Sequence, residues 1–218
     1  FTEVDNIYRQ LSSIKKMAEN IKRSESGLVD IAISPALGFE LIPDAIAKFH
    51  EVHPEVQFRI KTLHNEEALQ ALLEHRCDLA ILFSSPAMPG VQEIELGHSE
   101  MVMMYPKELF PQEPEKLSVE ALTNQELIGI WDSGPLGELI WNRIAQSGVE
   151  VSSSTQVDTY YIAASLVGRG VGCCTIDSLT ATANQNDNVG LASFDPAITF
   201  QVKGLHLETQ PLPRICQE

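Results

Sequence analysis

From Leu28 onward, short apolar runs alternate with apolar stripes at helical spacing. Residues 28–34 (LVDIAIS) lack strict alternation, which fits a strand covered on both faces. Leu41, Ile42, Ala45, Ile46 and Phe49 then recur at helical spacing up to a stop at His53-Pro54, and Pro43 fits only in the first turn of that helix. Residues 56–63 read as a second strand. Asn65 reads as the N-cap of a second helix, with Glu66 and Glu67 in the first turn, where the helix dipole favours acids, and Leu69, Leu72 and Leu73 on the buried face. Residues 78–83 form a third strand. The order is β-α-β-α-β, which builds a parallel sheet. Such sheets gather strand carboxyl ends and helix amino ends on one rim, where ligands bind.

The pattern then restarts. Residues 91–96 and 101–105 read as two further strands, a Pro-rich stretch leads to a short helix at 119–122, and residues 127–131 open a second unit. In that unit DSGPLG reads as a turn, 138–146 as a helix, 155–157 as a strand, 159–167 as a helix and 171–176 as a strand. Two such units imply two similar subdomains with a cleft between them. The GRGVG run from Gly168 precedes a strand, so it reads as a glycine helix stop and not as a phosphate loop. Ahead of all this, Val4, Ile7, Leu11, Ile14, Ala18 and Ile21 are spaced 3, 4, 3, 4, 3, a heptad seam followed by the polar break SESG. It reads as the end of a dimerising coiled coil, with an amphipathic helix lying on its own domain as the alternative.

Charge changes the picture more than length does. The 218 residues carry a net charge of -15. Residues 1–26 hold five Lys or Arg against four acids, so the remainder carries -16. A surface of that sign repels a phosphate backbone, which excludes the body as a nucleic-acid grip. With 44% hydrophobic residues and no long apolar run, the chain can bury a sizeable core but offers no membrane span, and a cytoplasmic location is expected. Nothing at the amino terminus resembles a signal peptide, and the absence of Met at position 1 fits an excised fragment or a processed protein. Cys77, Cys173, Cys174 and Cys216 show no zinc spacing and read as small thiols in a reducing compartment. His50 and His53 in FHEVHP lack the H-E-x-x-H spacing and a third ligand, so they read as solvated helix-end residues, and neither a metal nor a cofactor is expected.

The linker-like helix, the strand ending at Ser34-Pro35, LIPDAIAKFHEVHPEVQFRI, ALQALLEHRCDLAI and GRGVGCCTID together resemble the effector-binding domain of the LysR-type transcriptional regulators. ASLVGRGVG, DSLTA and ITFQV look closer to the branch of the lysine-biosynthesis and opine regulators. The resemblance covers essentially the whole chain. It implies two Rossmann-like α/β subdomains with a ligand cleft between them, of the type 2 periplasmic-binding-protein kind, preceded by a linker helix. The implied division is a linker and dimerisation helix at 1–26, subdomain I at 27–98 and 202–218, and subdomain II at 99–201. It also implies a homodimer or tetramer, promoter DNA contacted only through an absent amino-terminal winged helix-turn-helix, and a further carboxyl-terminal piece beyond Glu218.

The candidate site rests on the strand rims. Ser34 joins a hydroxyl to a helix start at Pro35 and Ala36, whose free N–H groups would favour a ligand carboxylate, and the family uses this position for effector; a plain helix cap is the bland alternative. His64 and Asn65 occupy the next rim, where the family usually has a small hydroxyl residue at the Asn65 position. Phe83 stands where some relatives carry an Arg, which argues against a second anionic clamp. In the second unit Trp131, Asp132 and Ser133 leave one strand, and Asp158 and Thr159 begin the facing helix. Asp132 or Asp158 could hold an ammonium. A small-molecule effector bearing a carboxylate, an amino acid or a derivative, suits this set.

No nucleophile elbow, Walker loop or dinucleotide fingerprint is present, so an enzyme is not expected. Two other classes stay open on the residues: a solute-binding protein of the same architecture, and a small-molecule lyase or transferase, which would need a Lys or Cys nucleophile with a base.

Overall fold

The computed structural model describes residues 27–85, 87–130 and 134–209. The heptad segment at 1–26 and the 131–133 turn lie outside the described residues. No described helix is long and apolar enough to cross a membrane. The described residues divide into two compact units, one built from 27–34, 42–95 and 203–209, the other from 35–41 and 96–202.

In the first unit, β1 (Leu28–Ile33) lies between β2 (Gln57–Thr62) and β3 (Leu79–Phe83), all parallel, with Ile31 opposite Ile60 on one side and Leu79 on the other. The near-continuous burial of β1 is what its unbroken apolar run requires of a central strand. β2 is the edge strand and is mostly exposed; Arg59 and Lys61 on it are the charges that discourage further strand pairing. After a 3-10 turn at Pro35–Gly38 the chain enters α1 (Leu41–Val52), with Pro43 in its first turn as sterics demand. Phe49 meets Phe58 edge to face at 5.4 Å, which fixes α1 on β2. α2 (Asn65–Leu73) buries Ala68, Ala71 and Leu72, whereas Leu73, expected on that face, is exposed. Positions i, i+3 and i+4 set the buried stripe, and the next residue turns away from it. Alanines at Ala32, Ala68, Ala71 and Ala80 let helix and sheet approach closely, around Leu72, Leu82 and Leu205.

One buried charge cluster ties this sheet together. Arg59 on β2 donates from Nε and Nη2 to the two carboxylate oxygens of Asp30 on β1. The Asp30 N–H donates to Asp78 Oδ2 at 2.9 Å, and the Asp78 N–H to the Asp30 carbonyl at 2.8 Å. Hydrogen bonding to Asp30 raises the Arg59 pKa still further.

Two long strands each draw residues from both units. β4 (Val91–Pro106) is continuous where the sequence suggests two strands, because Gly97, the apparent break, stays in the strand. β9 (Val189–Leu207) spans 19 residues with Asp195-Pro196 inside it; residues 195–197 are exposed, where a proline without an N–H is tolerated in a strand. Bonds from the Glu208 N–H to Gly90 O and from the Lys107 N–H to Asn188 O show that β4 and β9 run in opposite directions.

The second unit is less parallel than its pattern suggests. β8 (Cys174–Asp177) pairs antiparallel with β4, Met101 facing Asp177 and Met104 facing Cys174. β5 (Lys116–Leu117) pairs with β9 and leads into a 3-10 turn at Val119–Leu122. β6 (Gly129–Ile130) and β7 (Gln156–Val157) form a two-residue parallel ladder. α3 (Gly134–Ser147) absorbs the GPLG that reads as a turn, since Pro135 is tolerated in a first turn. α4 (Tyr160–Val167) ends at Gly168, as the glycine stop predicts. A Cβ on Gly172 would sit 2.4 Å from the Glu126 carbonyl, so the last glycine of that run serves a close backbone approach. α5 (Ser178–Ala183), which the sequence pattern does not announce, packs against the Pro35–Gly38 turn. Val102, Met104, Ile128, Ala163, Val167, Cys174 and Ile176 form the core.

Candidate functional site

The three parallel strands of the first unit end level with one another. Ser34 comes directly after β1, and its N–H donates to the Ile81 carbonyl at 3.0 Å, while the Leu63 N–H donates to Ile33 O at 3.0 Å. Ser34, His64 and Phe83 therefore share one rim. Ser34 is buried, and among the described residues its hydroxyl makes no hydrogen bond. The next element is the 3-10 turn and not α1, so Ser34 caps no α-helix, and the expected α-helical anion end is absent there. Pro35 has no N–H, so the leading donor of the turn belongs to Ala36.

Asn65 differs from its expected role. His64 occupies the N-cap of α2 with extended backbone (φ -67°, ψ 161°), and Asn65 is the first helical residue. The His64 side chain makes no capping bond, and the Asn65 amide makes none with any described residue. Phe83 is buried at the end of β3.

In the second unit Thr159 is the N-cap of α4 (φ -133°, ψ 142°), again with no side-chain capping bond. Asp158 before it is exposed. β6 and β7 pair Ile130 with Val157, so the chain leaves both strands at the same level; Trp131, Asp132 and Ser133 themselves lie outside the described residues. Asp177 shows what a cap looks like here. Its Oδ1 accepts from the Thr180 N–H at 2.8 Å and its Oδ2 from the Thr180 hydroxyl at 2.7 Å. Ser34, Asn65 and Thr159 thus retain hydrogen-bonding capacity that Asp177 has already used.

Two aromatic residues that the sequence pattern does not single out meet one another in the second unit, each a few positions along the chain from a candidate residue. Phe39, just past the Pro35–Gly38 turn, and Tyr161, in the first turn of α4, place their ring centroids 6.0 Å apart at 30°, and both are partly exposed. The available signal was the Tyr160-Tyr161 doublet at a helix start, where tyrosine has no propensity advantage.

Elsewhere the described cysteines are buried, and Cys216 lies outside the described residues. Burial pushes the Cys77 and Cys173 thiols up to about 12 and the Cys174 thiol well above its ordinary value. His50 is not merely solvated: its Nε2 donates to the Val56 carbonyl at 3.0 Å, and its ring packs on Phe58. His53 likewise packs on Phe49 at 4.8 Å and lies 3.7 Å from the Glu55 carboxylate. Among the described residues no group of three His, Cys, Asp or Glu side chains comes together to hold a metal ion.

The described residues form two α/β units with the periplasmic-binding-protein-like fold. The LysR substrate binding domain matches residues 22–216, and the chain belongs to the LysR family of transcriptional regulators. It is 50% identical over 215 residues to the HTH-type transcriptional regulator DgcR of a Pseudoalteromonas species, covering 99% of this chain and 74% of DgcR. It is 26% identical over 205 residues to the octopine catabolism/uptake operon regulatory protein OccR of Rhizobium meliloti, covering 88% of this chain and 63% of OccR. The effector-binding domain of QuiR, solved with shikimate, has the same fold at a TM-score of 0.77 and 17% identity, covering 88% of this chain and 93% of QuiR's. LysR regulators bind small-molecule effectors and DNA and form oligomers. The relatives are named regulators, so the family is not an enzymatic one, and the solute-binding and lyase or transferase readings give way to it.

Proposed function

We propose that the chain senses a small metabolite bearing a carboxylate and an amine, an amino acid or a close derivative. The carboxylate takes the Ser34 hydroxyl and the Ala36 N–H; the amine takes an acidic group on the rim of the second unit, Asp132 or Asp158, with Trp131, Ser133 and Thr159 around it. His64, Asn65 and Phe83 complete the first rim. The observation that carries this reading is the unused hydroxyl of Ser34, on a buried residue at a strand end and capping nothing, in contrast to Asp177. A hydroxyl with no partner in the chain keeps its donor for a ligand acceptor. Two relatives support the chemical class: OccR is named for an operon of octopine, an amino-acid derivative, and QuiR was solved with shikimate, a carboxylic acid.

In the same reading the effector state passes through the helix at 1–26 to a DNA-binding part, the protein works in the cytoplasm, and copies associate as dimers or tetramers. A thermal-shift screen of amino acids, dicarboxylates and opine-like compounds identifies the effector. Calorimetry then tests the placement: Ser34→Ala is expected to fold and to bind roughly tenfold to a hundredfold more weakly, the effect of losing one hydrogen bond to a charged carboxylate. Parent-like binding by Ser34→Ala and Asp132→Ala together would refute it. Loss in the first alone would keep the carboxylate site and pass the amine to Asp158.

A further inference from the structure

Phe39 and Tyr161 are large aromatic residues left 38% and 54% exposed, yet their rings are held together at 6.0 Å. Such an arrangement is unusual for side chains kept only for packing, because a packed ring pair buries its faces. Both belong to the second unit, Phe39 because the 35–41 segment packs there. Along the chain they follow closely on candidate residues. Phe39 is five residues beyond Ser34, and Tyr161 is two beyond Thr159 and three beyond the exposed Asp158. An aromatic face attracts a cation through its quadrupole, and a neighbouring carboxylate adds to that attraction. The nearby charge is acidic, so the chemistry that fits is an ammonium.

We propose that Phe39 and Tyr161 form an aromatic clasp that selects for the amine of the effector, with Asp158 as its charged partner; this rests on the reading of the chain as a sensor of an amino carboxylate. Ser34 then sets the requirement for a carboxylate, while the rings discriminate an amino compound from its amine-free counterpart. The two requirements are separable because they rest on different residues.

The test uses the whole 218-residue chain, with a panel of the common amino acids, octopine and the 2-oxo acids of the same skeletons. Calorimetry compares the parent with Tyr161→Phe, which keeps a ring, Tyr161→Leu, which keeps apolar bulk without a π face, and Phe39→Leu. Thermal melting confirms that each variant folds. Tyr161→Phe should bind the selected amino compound within about twofold of the parent, and each Leu variant roughly three- to thirtyfold more weakly, with the amine-free analogue little changed in all three. Equal weakening for both compounds would mean that the rings serve only to hold the 35–41 segment, and would overturn the proposal. So would parent-like binding by both Leu variants. A parent that binds only amine-free acids would overturn the clasp and leave the carboxylate site standing, whereas a parent that binds nothing on the panel would overturn both.

Discussion

Asp177 is fully buried and uses both carboxylate oxygens on Thr180. Burial raises its pKa, and the bonds from Thr180 and the backbone only partly offset that. The folded state therefore binds a proton more readily than the unfolded chain, whose carboxyl titrates near its ordinary value of about 3.9. Its stabilising contribution is complete below that value and is lost as the pH rises through the raised folded pKa. Asp177→Asn does not titrate. The difference in Tm, parent minus Asn variant, should fall as the pH is raised from about 4, and a flat difference would show that burial does not govern this carboxyl. The thiols offer a second check at this scale. With Cys77 and Cys173 pushed up to about 12 and Cys174 well above its ordinary value, almost no thiolate exists at neutral pH, and the thiolate is the reactive species. In a Cys216→Ser chain at pH 8, a thiol reagent should leave the native protein unlabelled and modify all three remaining cysteines after denaturation.

At the scale of elements, the join between β1 and β2 depends on a charge cluster as well as on backbone pairing. Asp30 is buried within a central strand, and Arg59 reaches it from the exposed edge strand. Removing the cation takes from the buried Asp30 its ion pair with Arg59. Breaking a wholly buried pair costs about 3–5 kcal/mol. Since the Arg59 side chain keeps about half its surface in water, a smaller loss of about 1–3 kcal/mol is expected for Arg59→Met. Urea unfolding should show this as a lower midpoint with an unchanged slope, and a parent-like midpoint would mean that water already screens the pair. The cost should fall on the first unit, which carries Ser34, so the same variant gives a measure of how far rim geometry depends on this cluster.

For the molecule as a whole, charge decides what the chain can approach. The net charge of -15, concentrated outside residues 1–26, sets up repulsion from a polyanion. Specific DNA-binding proteins reach nanomolar affinity at physiological salt through phosphate neutralisation and base contacts. Fluorescence anisotropy with a duplex from the gene's own upstream region should therefore show no specific binding by this chain at physiological salt. Nanomolar specific binding would sink both the charge argument and the assignment of DNA contact to another part of the protein.

The sequence alone determined the β-α-β-α-β order of the first unit, because a buried parallel strand must be apolar throughout and a helix on it must repeat every three or four residues. Ser34, His64 and Phe83 were legible as one rim for the same reason: strand carboxyl ends in a parallel sheet are level by construction. Tertiary structure decided what local pattern could not carry. Residues 91–96 and 101–105 read as two strands but β4 runs through Gly97 without a break, since a long strand tolerates a local misfit when its neighbours supply the pairing. Asn65 looked like a cap by residue type, yet the backbone turned one residue earlier, at His64. The meeting of Phe39 with Tyr161, 122 positions apart in the chain, depends on the 35–41 segment packing with the second unit, and contacts of that separation arise from how the elements pack, which no periodicity in either segment records.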